Sequence, residues 1–315
     1  MTNPVDTASS VKGPKSELLD MSHGMVSLGR SPIFPYPQYR MSDQYKTVYF
    51  DEGTGPTMVF VHGLGGNVTH FEFILQDLGR DHRIVGLDLV GFGASLKPPC
   101  NYNIEFLADH LIAFLDHRGI KRTTLVGHSL GATVCLAASL KRPDLVESLI
   151  LIGAAGLAPL PLWMRWGSHL VLHERLLFFL LFRLHNWILD NVFVDPPEKN
   201  EYVKHFRVSS LNDEPGFPNL LPQLKDFARV STSICKDVVR CNYAPRLHEL
   251  TMPVLALWGD NDKLVKLPSV EDALKLISRL RRRVVLRSGH LTMVERPKEV
   301  VEMIREFLSN PPLPV

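Results

Sequence analysis

Residues 127–131, Gly-His-Ser-Leu-Gly, have the types and spacing of a site for nucleophilic chemistry. The apolar run 124–126 before them is typical of a strand, and residues 132–140 after them are typical of a helix. A serine in such a turn is held at strained backbone angles with its Oγ raised above the sheet. The positive end of the helix dipole then faces any oxyanion that develops beside it. The pattern predicts that Ser129 is a nucleophile; the alternative is an ordinary glycine-rich turn.

Candidates for a base and an orienting acid, which a nucleophilic serine needs, follow later in the chain. The strand-like run 254–258 ends in Gly-Asp-Asn-Asp, and the strand-like run 284–286 is followed by Ser-Gly-His. Residues just past the carboxyl ends of strands meet at the ligand site of an open α/β sheet. We therefore predict His290 as the base, and either Asp260 or Asp262 as the acid. A lone histidine is otherwise an ordinary surface or core residue.

A glycine-rich segment that precedes Ser129 in the chain is a candidate part of the same site. The run 58–61 is typical of a buried strand and continues into residues 62–66, His-Gly-Leu-Gly-Gly. Glycines allow the backbone to approach a substrate closely. An oxyanion needs two backbone N–H donors, one from the residue after the nucleophile and one from an earlier loop. Residues 62–66 are the candidate for that loop, unless they are a glycine-rich loop without a role.

Together these motifs resemble the α/β-hydrolase superfamily. Its W-G-x-x-D pattern matches residues 258–262, which implies Asp262 as the acid and leaves Asp260 to shape the turn. Its H-G-x-G loop implies that the backbone N–H groups of Leu64 and Leu130 form the oxyanion hole.

Two further segments carry the same resemblance. Residues 88–95 match the superfamily's D-x-x-G-x-G-x-S pattern, and residues 290–297 match its H-x-x-x-x-E-x-P pattern. These residues are usually structural in the superfamily, so Asp88 and Glu295 are expected to have no chemical role. The motifs together cover about residues 45–153 and 250–310.

Strand-like and helix-like runs alternate through most of the chain. This alternation predicts an α/β fold with a mostly parallel central sheet and helices on both faces. Asn103 is expected to cap a helix that Gly119 ends. Residues 51–55 are a hairpin signal between the first two predicted strands. The predicted strands are residues 46–50, 58–61, 83–87, 123–126, 147–152, 254–258 and 284–286.

Residues 154–248 break the alternation and are too many for a plain connection. We predict that they form a helical cap inserted between two core strands, as superfamily members commonly have. Its apolar stretch 170–194 is interrupted by Glu174, Arg175, Arg183, His185 and Asp190, which argue against a membrane span. The predicted organisation is an N-terminal tail at residues 1–44, a core at 45–153, the cap at 154–248 and the rest of the core at 249–315.

Bulky apolar side chains of the cap are candidates for an acyl or aromatic pocket. They either line such a pocket or pack against one another. The bulky cap residues are Trp163, Trp166, Leu176, Phe178, Phe179, Phe182 and Trp187. The predicted substrate contacts are Trp163, Trp166, Phe178 and Phe179 from the cap and His62, Gly63 and His128 from the core.

Charge and cysteine content limit the classes of partner that this protein is expected to bind. The formal net charge of the 315 residues is +2, which gives no strong field for nucleic acid. Arg279 and residues 281–283 form a basic run, predicted to be a solvated helix-to-strand loop, with an anionic surface as the alternative. Four cysteines without metal-ligand spacing and a start without an apolar signal segment predict a cytoplasmic protein with free thiols. Only weak lipid contact, through the cap, is expected.

The resemblance implies a serine hydrolase, and the apolar cap favours a carboxylesterase or small lipase that cleaves an apolar ester through an acyl-enzyme. An alternative with the same triad is a carbon–carbon bond hydrolase of ring-cleavage diketones. A third possible function is that of a ligand receptor on the same fold. Epoxide hydrolases and haloalkane dehalogenases are disfavoured because they use aspartate where this chain has Ser129. None of these reactions requires a metal or an organic cofactor.

Overall fold

The computed structural model describes the backbone of residues 19–20, 25–30, 36–159, 192–195, 200–201, 203 and 220–314, with side chains from residue 36 onward except at 220–224. Its strands are β1 Leu19–Asp20, β2 Met25–Arg30, β3 Pro37–Arg40, β4 Val48–Glu52, β5 Thr57–Val61, β6 Arg83–Leu87, β7 Thr123–His128, β8 Val146–Ile152, β9 Val254–Gly259 and β10 Leu280–Val285. Its α-helices are α1 Glu72–Leu78, α2 Ile104–His117, α3 Leu130–Lys141, α4 Leu220–Val238, α5 Glu271–Leu274, α6 Thr292–Glu295 and α7 Pro297–Ser309. Short 3-10 helices cover Val68–Phe71, Pro143–Leu145, Ala244–Glu249 and Leu267–Ser269.

These strands form a single sheet in the order β1-β2-β3-β4-β6-β5-β7-β8-β9-β10. Strands β5 to β10 are parallel, and β1 to β4 are antiparallel additions at one edge. The predicted fold class, a mostly parallel sheet with helices on both faces, is confirmed. The hairpin predicted at residues 51–55 is wrong, because β6 lies between β4 and β5 and pairs with both.

Both faces of the sheet are covered, which explains why its central strands are continuous apolar runs. In β5, Val59 and Val61 belong to one buried cluster, whereas Met58 and Phe60 belong to the other. Helices α2 and α3 contribute to the first cluster, and α1 and α7 contribute to the second. The parallel strands therefore present their carboxyl ends at one rigid edge.

Helix α2 begins and ends where the sequence predicts. The Asn103 side chain accepts a hydrogen bond from the Phe106 N–H at 2.8 Å, which caps the first turn. Gly119 follows the helix with φ +65°, a left-handed conformation that glycine adopts without strain.

The basic run is part of a strand rather than a loop. Arg281, Arg282 and Arg283 lie inside β10, which pairs with β9 on one side only. Arg283 forms an ion pair with Glu306 at 2.7 Å, and Arg282 forms one with Glu271. Charged side chains on an edge strand hinder pairing with a further chain. The predicted loop is therefore wrong, and the predicted strand 284–286 starts four residues earlier than expected, at Leu280.

The predicted N-terminal tail contains strands where it is described. Strand β3 pairs with β4, and β2 pairs with β3, so residues 25–30 and 37–40 extend the central sheet. The Tyr36 ring stacks on Phe50 with their centroids 5.5 Å apart. These residues of the predicted tail are therefore packed on the edge of the core sheet.

The predicted cap is described only in part. Helix α4 is its longest described element, and the four predicted substrate contacts Trp163, Trp166, Phe178 and Phe179 lie outside the described residues. The cap and the domain limits therefore stay predictions. Among the residues that are described, no helix combines the length and apolar character needed to cross a membrane.

Candidate active site

Ser129 stands at the turn between β7 and α3. Its backbone has φ 52° and ψ −114°, a strained conformation for a residue with a side chain. The Ser129 N–H donates to the Ile152 carbonyl at 2.8 Å, which ties the turn to β8. A Cβ on Gly127 would lie 2.5 Å from the Ala132 Cα, and one on Gly131 would collide with the Val61 carbonyl oxygen. The two glycines are therefore needed for the turn to close.

His290 and Asp262 lie side by side past the ends of β10 and β9. The His290 Nδ1 is 2.7 Å from the Asp262 Oδ2, and both side chains are almost fully buried. The other oxygen of Asp262 accepts hydrogen bonds at 2.9 Å from the N–H groups of Leu264 and Val265. The carboxylate is thus held in place from one side and directed at the imidazole on the other.

Asp260 has a different position on the same loop. Its Oδ1 accepts from the Ser288 N–H at 3.1 Å and from the Asn261 side-chain amide at 2.8 Å. Backbone and Asn261 hydrogen bonds lower the pKa of the Asp260 carboxyl despite the opposing effect of burial. Asp260 therefore joins the loop after β9 to the loop after β10, while Asp262 contacts the imidazole.

Gly153 is a residue of this site that the sequence analysis missed. It follows β8 with φ +55°, and a Cβ there would lie 3.1 Å from the His290 Nδ1 and 3.4 Å from the Asp262 Oδ2. A larger residue would press on the imidazole–carboxylate pair. Its position directly after a parallel strand was the signal that could have identified it.

The loop at residues 62–66 lies beside the serine, as its motif suggested. Leu64 is exposed and Leu130 is the first residue of α3, so its N–H has no acceptor within the helix. A Cβ on Gly65 would lie 3.1 Å from the Phe227 ring of α4, so that ring covers the loop. Phe227 is a second residue that the sequence analysis missed, because its contact with Gly65 spans more than 160 residues.

His62 has an internal role rather than the predicted contact with substrate. Its side chain is fully buried, its Nε2 accepts from the Leu89 N–H at 3.0 Å, and its Nδ1 donates to the Gly63 carbonyl at 2.8 Å. Burial lowers the pKa of His62 to about 4, so the ring is neutral. The structure thus corrects this assignment: His62 shapes the loop.

The same correction applies to His128. It is buried, and its Nε2 donates to the backbone carbonyl of His290 at 3.1 Å. A Cβ on Gly63 would lie 2.8 Å from the His128 Nδ1, so the ring fills the space between the two loops. Burial, reinforced by His290, lowers the pKa of His128 well below its usual range. Gly63 and the neutral His128 ring therefore pack against each other, and the predicted contact of Gly63 with substrate stays a prediction.

Asp88 and Glu295 hold loops together. Asp88 accepts from the N–H groups of Val68 at 2.8 Å and Ala94 at 2.7 Å. Glu295 accepts from the N–H groups of Val194 and Gly289, each at 2.6 Å. These contacts fit the expectation that both acids are structural.

Metal ligation has no basis in the described part of the chain. No group of three or more histidine, cysteine, aspartate or glutamate side chains is arranged there to hold a metal ion. The arrangement instead supplies a strained serine, an imidazole paired with a carboxylate, and helix N–H groups at one edge of the sheet.

A comparison with protein families matches residues 56–183 to the alpha/beta hydrolase fold. The chain is 25% identical over 272 residues to 2-hydroxymuconate semialdehyde hydrolase of Pseudomonas sp. strain CF600, covering 84% of this chain and 91% of that protein. It is 26% identical over 269 residues to Lipase 3 of Moraxella sp. strain TA144, covering 82% of this chain and 78% of that protein.

Among solved structures, a thermophilic esterase from Thermogutta terrifontis superposes with a TM-score of 0.71 at 22% identity. The match covers 90% of this chain and 98% of the esterase.

Proposed function

This chain belongs to the α/β-hydrolase superfamily and is a hydrolase, and we propose that it cleaves esters of apolar acids through an acyl-enzyme on Ser129. The observation that carries the proposal is the His290–Asp262 pair, 2.7 Å apart, at the same sheet edge as a serine with φ 52°. A strained serine and a carboxylate-oriented imidazole are the parts that nucleophilic acyl transfer requires.

The reaction would proceed in two halves. Ser129 Oγ attacks the ester carbonyl while the His290 Nε2 takes its proton, since the Nδ1 is engaged with Asp262. The N–H groups of Leu64 and Leu130 stabilise the tetrahedral oxyanion. The alcohol leaves with the proton from His290, and a water molecule activated by the same nitrogen then releases the acid.

Asp262 keeps the His290 ring in the tautomer with a proton on Nδ1, so that Nε2 can accept. Its second oxygen accepts hydrogen bonds from two backbone N–H groups, which hold the carboxylate in its position beside the imidazole. The Glu295 contacts and the His128 hydrogen bond support the His290 backbone from two other directions.

A second candidate is hydrolysis of a carbon–carbon bond in a ring-cleavage diketone by the same residues. It is favoured by the similarity to 2-hydroxymuconate semialdehyde hydrolase, which extends over 84% of this chain. Similarity to Lipase 3 is equally extensive, so the two candidates differ in substrate and not in the fold.

The test compares substrates and a nucleophile variant. Wild-type protein is assayed with p-nitrophenyl esters from acetate to palmitate beside a ring-cleavage diketone, and is treated with a fluorophosphonate probe. Ser129→Ala should lose labelling and about 10⁴–10⁶-fold in kcat, the usual effect of removing a triad serine. Ser139→Ala is the control, because it removes a serine whose hydroxyl donates to the Cys135 carbonyl on the same helix. This variant should keep both the fluorophosphonate labelling and the kcat of the wild type.

The results of this test decide both the identity of the nucleophile and the choice between the two candidate reactions. Turnover of Ser129→Ala within tenfold of the wild type would refute the nucleophile assignment. Cleavage of the diketone without cleavage of any ester would replace the first candidate by the second.

A further inference from the structure

Helix α4 crosses above the carboxyl ends of the central strands. On its N-terminal side, the Phe227 ring lies against Gly65 of the loop after β5. At the other end, Val238 lines a cavity of about 230 Å³ together with Ala155 and Gly156 of the loop after β8. Strand β7 lies between β5 and β8, and Ser129 follows β7 directly. The stretch of α4 from Phe227 to Val238 therefore contacts the loops on both sides of the strand that leads to Ser129.

Helical spacing shows which residues face the serine. Phe227, Ser231, Ile234 and Val238 are separated by four, three and four positions, so they share one face of the helix. We call this set the roof face. It spans about 16 Å at 1.5 Å per residue, enough to cross two strand spacings of about 4.8 Å obliquely.

A neighbouring face of α4 is anchored elsewhere. The Ser233 Oγ is hydrogen-bonded to the Tyr102 backbone, and the Asp237 carboxylate accepts from the Ile104 N–H at 2.8 Å. These contacts fix the rotation of the helix about its axis. Its roof face is thereby directed at the sheet edge.

Ser231 is the polar residue of the roof face. It is 2% exposed, and its hydroxyl has no hydrogen-bond partner among the described residues. A buried hydroxyl without a partner destabilises a protein, so such groups in native structures call for a ligand or a role. A hydroxyl group both donates and accepts, which suits a substrate hydroxyl or carbonyl.

From these contacts we propose that the roof face forms the ceiling of the substrate cleft and that Ser231 hydrogen-bonds a hydroxyl or carbonyl group of the substrate. The substrate class is then an ester that carries such a group near the scissile bond, beside an apolar portion that packs on Phe227. This inference rests on the proposed ester hydrolysis at Ser129.

Three esters test the inference. Ethyl hexanoate has no additional polar group, 2-hydroxyethyl hexanoate has one on the alcohol side, and ethyl 3-hydroxyhexanoate has one on the acyl side. Wild-type kcat/KM should be about tenfold higher for one of the hydroxylated esters than for ethyl hexanoate, the effect of one buried hydrogen bond. Ser231→Ala should abolish that ratio.

Thr232→Val is the matched control. Thr232 is the next residue of α4, is also buried and also has a hydroxyl without a partner among the described residues, but it lines a polar groove with Asn101 and Lys236. Valine has the same shape without the hydroxyl. The preference for the hydroxylated ester should survive in this variant.

Thermal unfolding gives an independent readout. Removal of an unpartnered buried hydroxyl should raise the Tm of Ser231→Ala by about 2 °C without substrate. A purely structural serine would instead lower the Tm when truncated. A stabilised variant that has lost its substrate preference therefore supports a binding role.

The failures are distinguishable. If the wild type cleaves no ester and is not labelled by the fluorophosphonate, the proposed function fails and this inference fails with it. If the esters are cleaved but the wild type shows no preference, or Ser231→Ala keeps the preference, only the role of Ser231 is refuted.

Discussion

Asp260 and Asp262 are only two positions apart on the loop after β9, yet their side chains have different hydrogen-bond partners. Asp262 is directed at His290 and is held by two backbone N–H groups, whereas Asp260 binds Ser288 and Asn261. A carboxylate that orients an imidazole has to contact it directly. Of the two, only Asp262 does so.

Replacing these aspartates separates orientation from loop structure. Asp262→Asn should lower kcat by about 10⁴-fold, since an amide favours the wrong tautomer of the histidine. Asp260→Asn keeps an oxygen for the Ser288 N–H and should keep kcat within tenfold of the wild type. Initial rates on the best ester, with circular dichroism as a check on folding, measure both variants. The reverse ranking would move the acid to Asp260.

The sequence was informative for residues with a strict local requirement. Ser129, His290 and Asp262 each follow a strand within a few residues, so their place at the sheet edge was predictable from the strands alone. Gly153 and Phe227, in contrast, contact residues that are far away in the sequence. Gly153 leaves space for a histidine 137 positions away, and Phe227 covers a distant glycine. A single sequence can mark Gly153 as a residue that follows a strand, but it does not show which distant residue Gly153 or Phe227 contacts.

At the scale of elements, Glu295 of α6 joins the loop that bears His290 to residues 192–195. One of its oxygens accepts from the Val194 N–H and the other from the Gly289 N–H, while the Asn200 side chain donates to its backbone carbonyl. His290 N–H in turn donates to the Val192 carbonyl at 3.1 Å. Within the described residues, this is how a segment of the predicted cap contacts the base.

Glu295→Gln should loosen this connection. The new amide NH₂ would face either the Gly289 N–H or the N–H groups of Val194 and Asp195, so the variant loses at least one charge-assisted bond, at a cost of about 1.5–3 kcal/mol in the free energy of unfolding. We expect a lower Tm and a kcat reduced more than KM changes, because His290 is positioned less firmly. Glu302→Gln, at an exposed position of α7, is the control and should change neither. Equal behaviour of the two variants would show that the connection is unimportant.

Elements were predictable where one signal dominated. Apolar runs identified the central strands, because burial on both faces requires continuous apolar sequence. Strand β10 was missed in part since its arginines pair with Glu271 and Glu306 and cover an edge. The order β4-β6-β5 was not predictable from residues 51–55, because a turn signal does not exclude a strand that inserts between its neighbours.

On the scale of the whole molecule, four histidines with lowered pKa values are expected to govern the response to acid. Burial lowers the pKa of His62 and His110 to about 4 and that of His70 to about 3, and lowers the pKa of His128 well below the ordinary 6.5. Each folded-state pKa lies below the unfolded value. Below pH 6.5 the unfolded chain therefore binds more protons than the folded one, and stability is lost as the pH falls from about 7 towards 4.

Three carboxyls act in the opposite direction, since burial also raises the pKa of Glu295. Burial raises the pKa of Asp88 to about 6 and that of Glu72 to about 7. The folded state holds these protons more tightly, so their contribution to stability grows on acidification between pH 7 and 4. Four histidines outnumber these three carboxyls, so the chain still takes up protons on unfolding and stability still falls as the pH falls.

We therefore expect the Tm to fall steadily from pH 7 to pH 5, and His110→Gln to reduce that fall. The His110 Nε2 donates to the Thr47 Oγ1 at 2.9 Å, and Thr47 in turn donates to Asp43, so a glutamine amide can replace the donor without titrating. Removing one titrating group should reduce the pH dependence by up to about 1.4 kcal/mol per pH unit. Calorimetry across this range measures it, with the exposed His117→Gln as control. If the wild type and His110→Gln lose stability in parallel, buried histidines are not what makes the fold sensitive to acid.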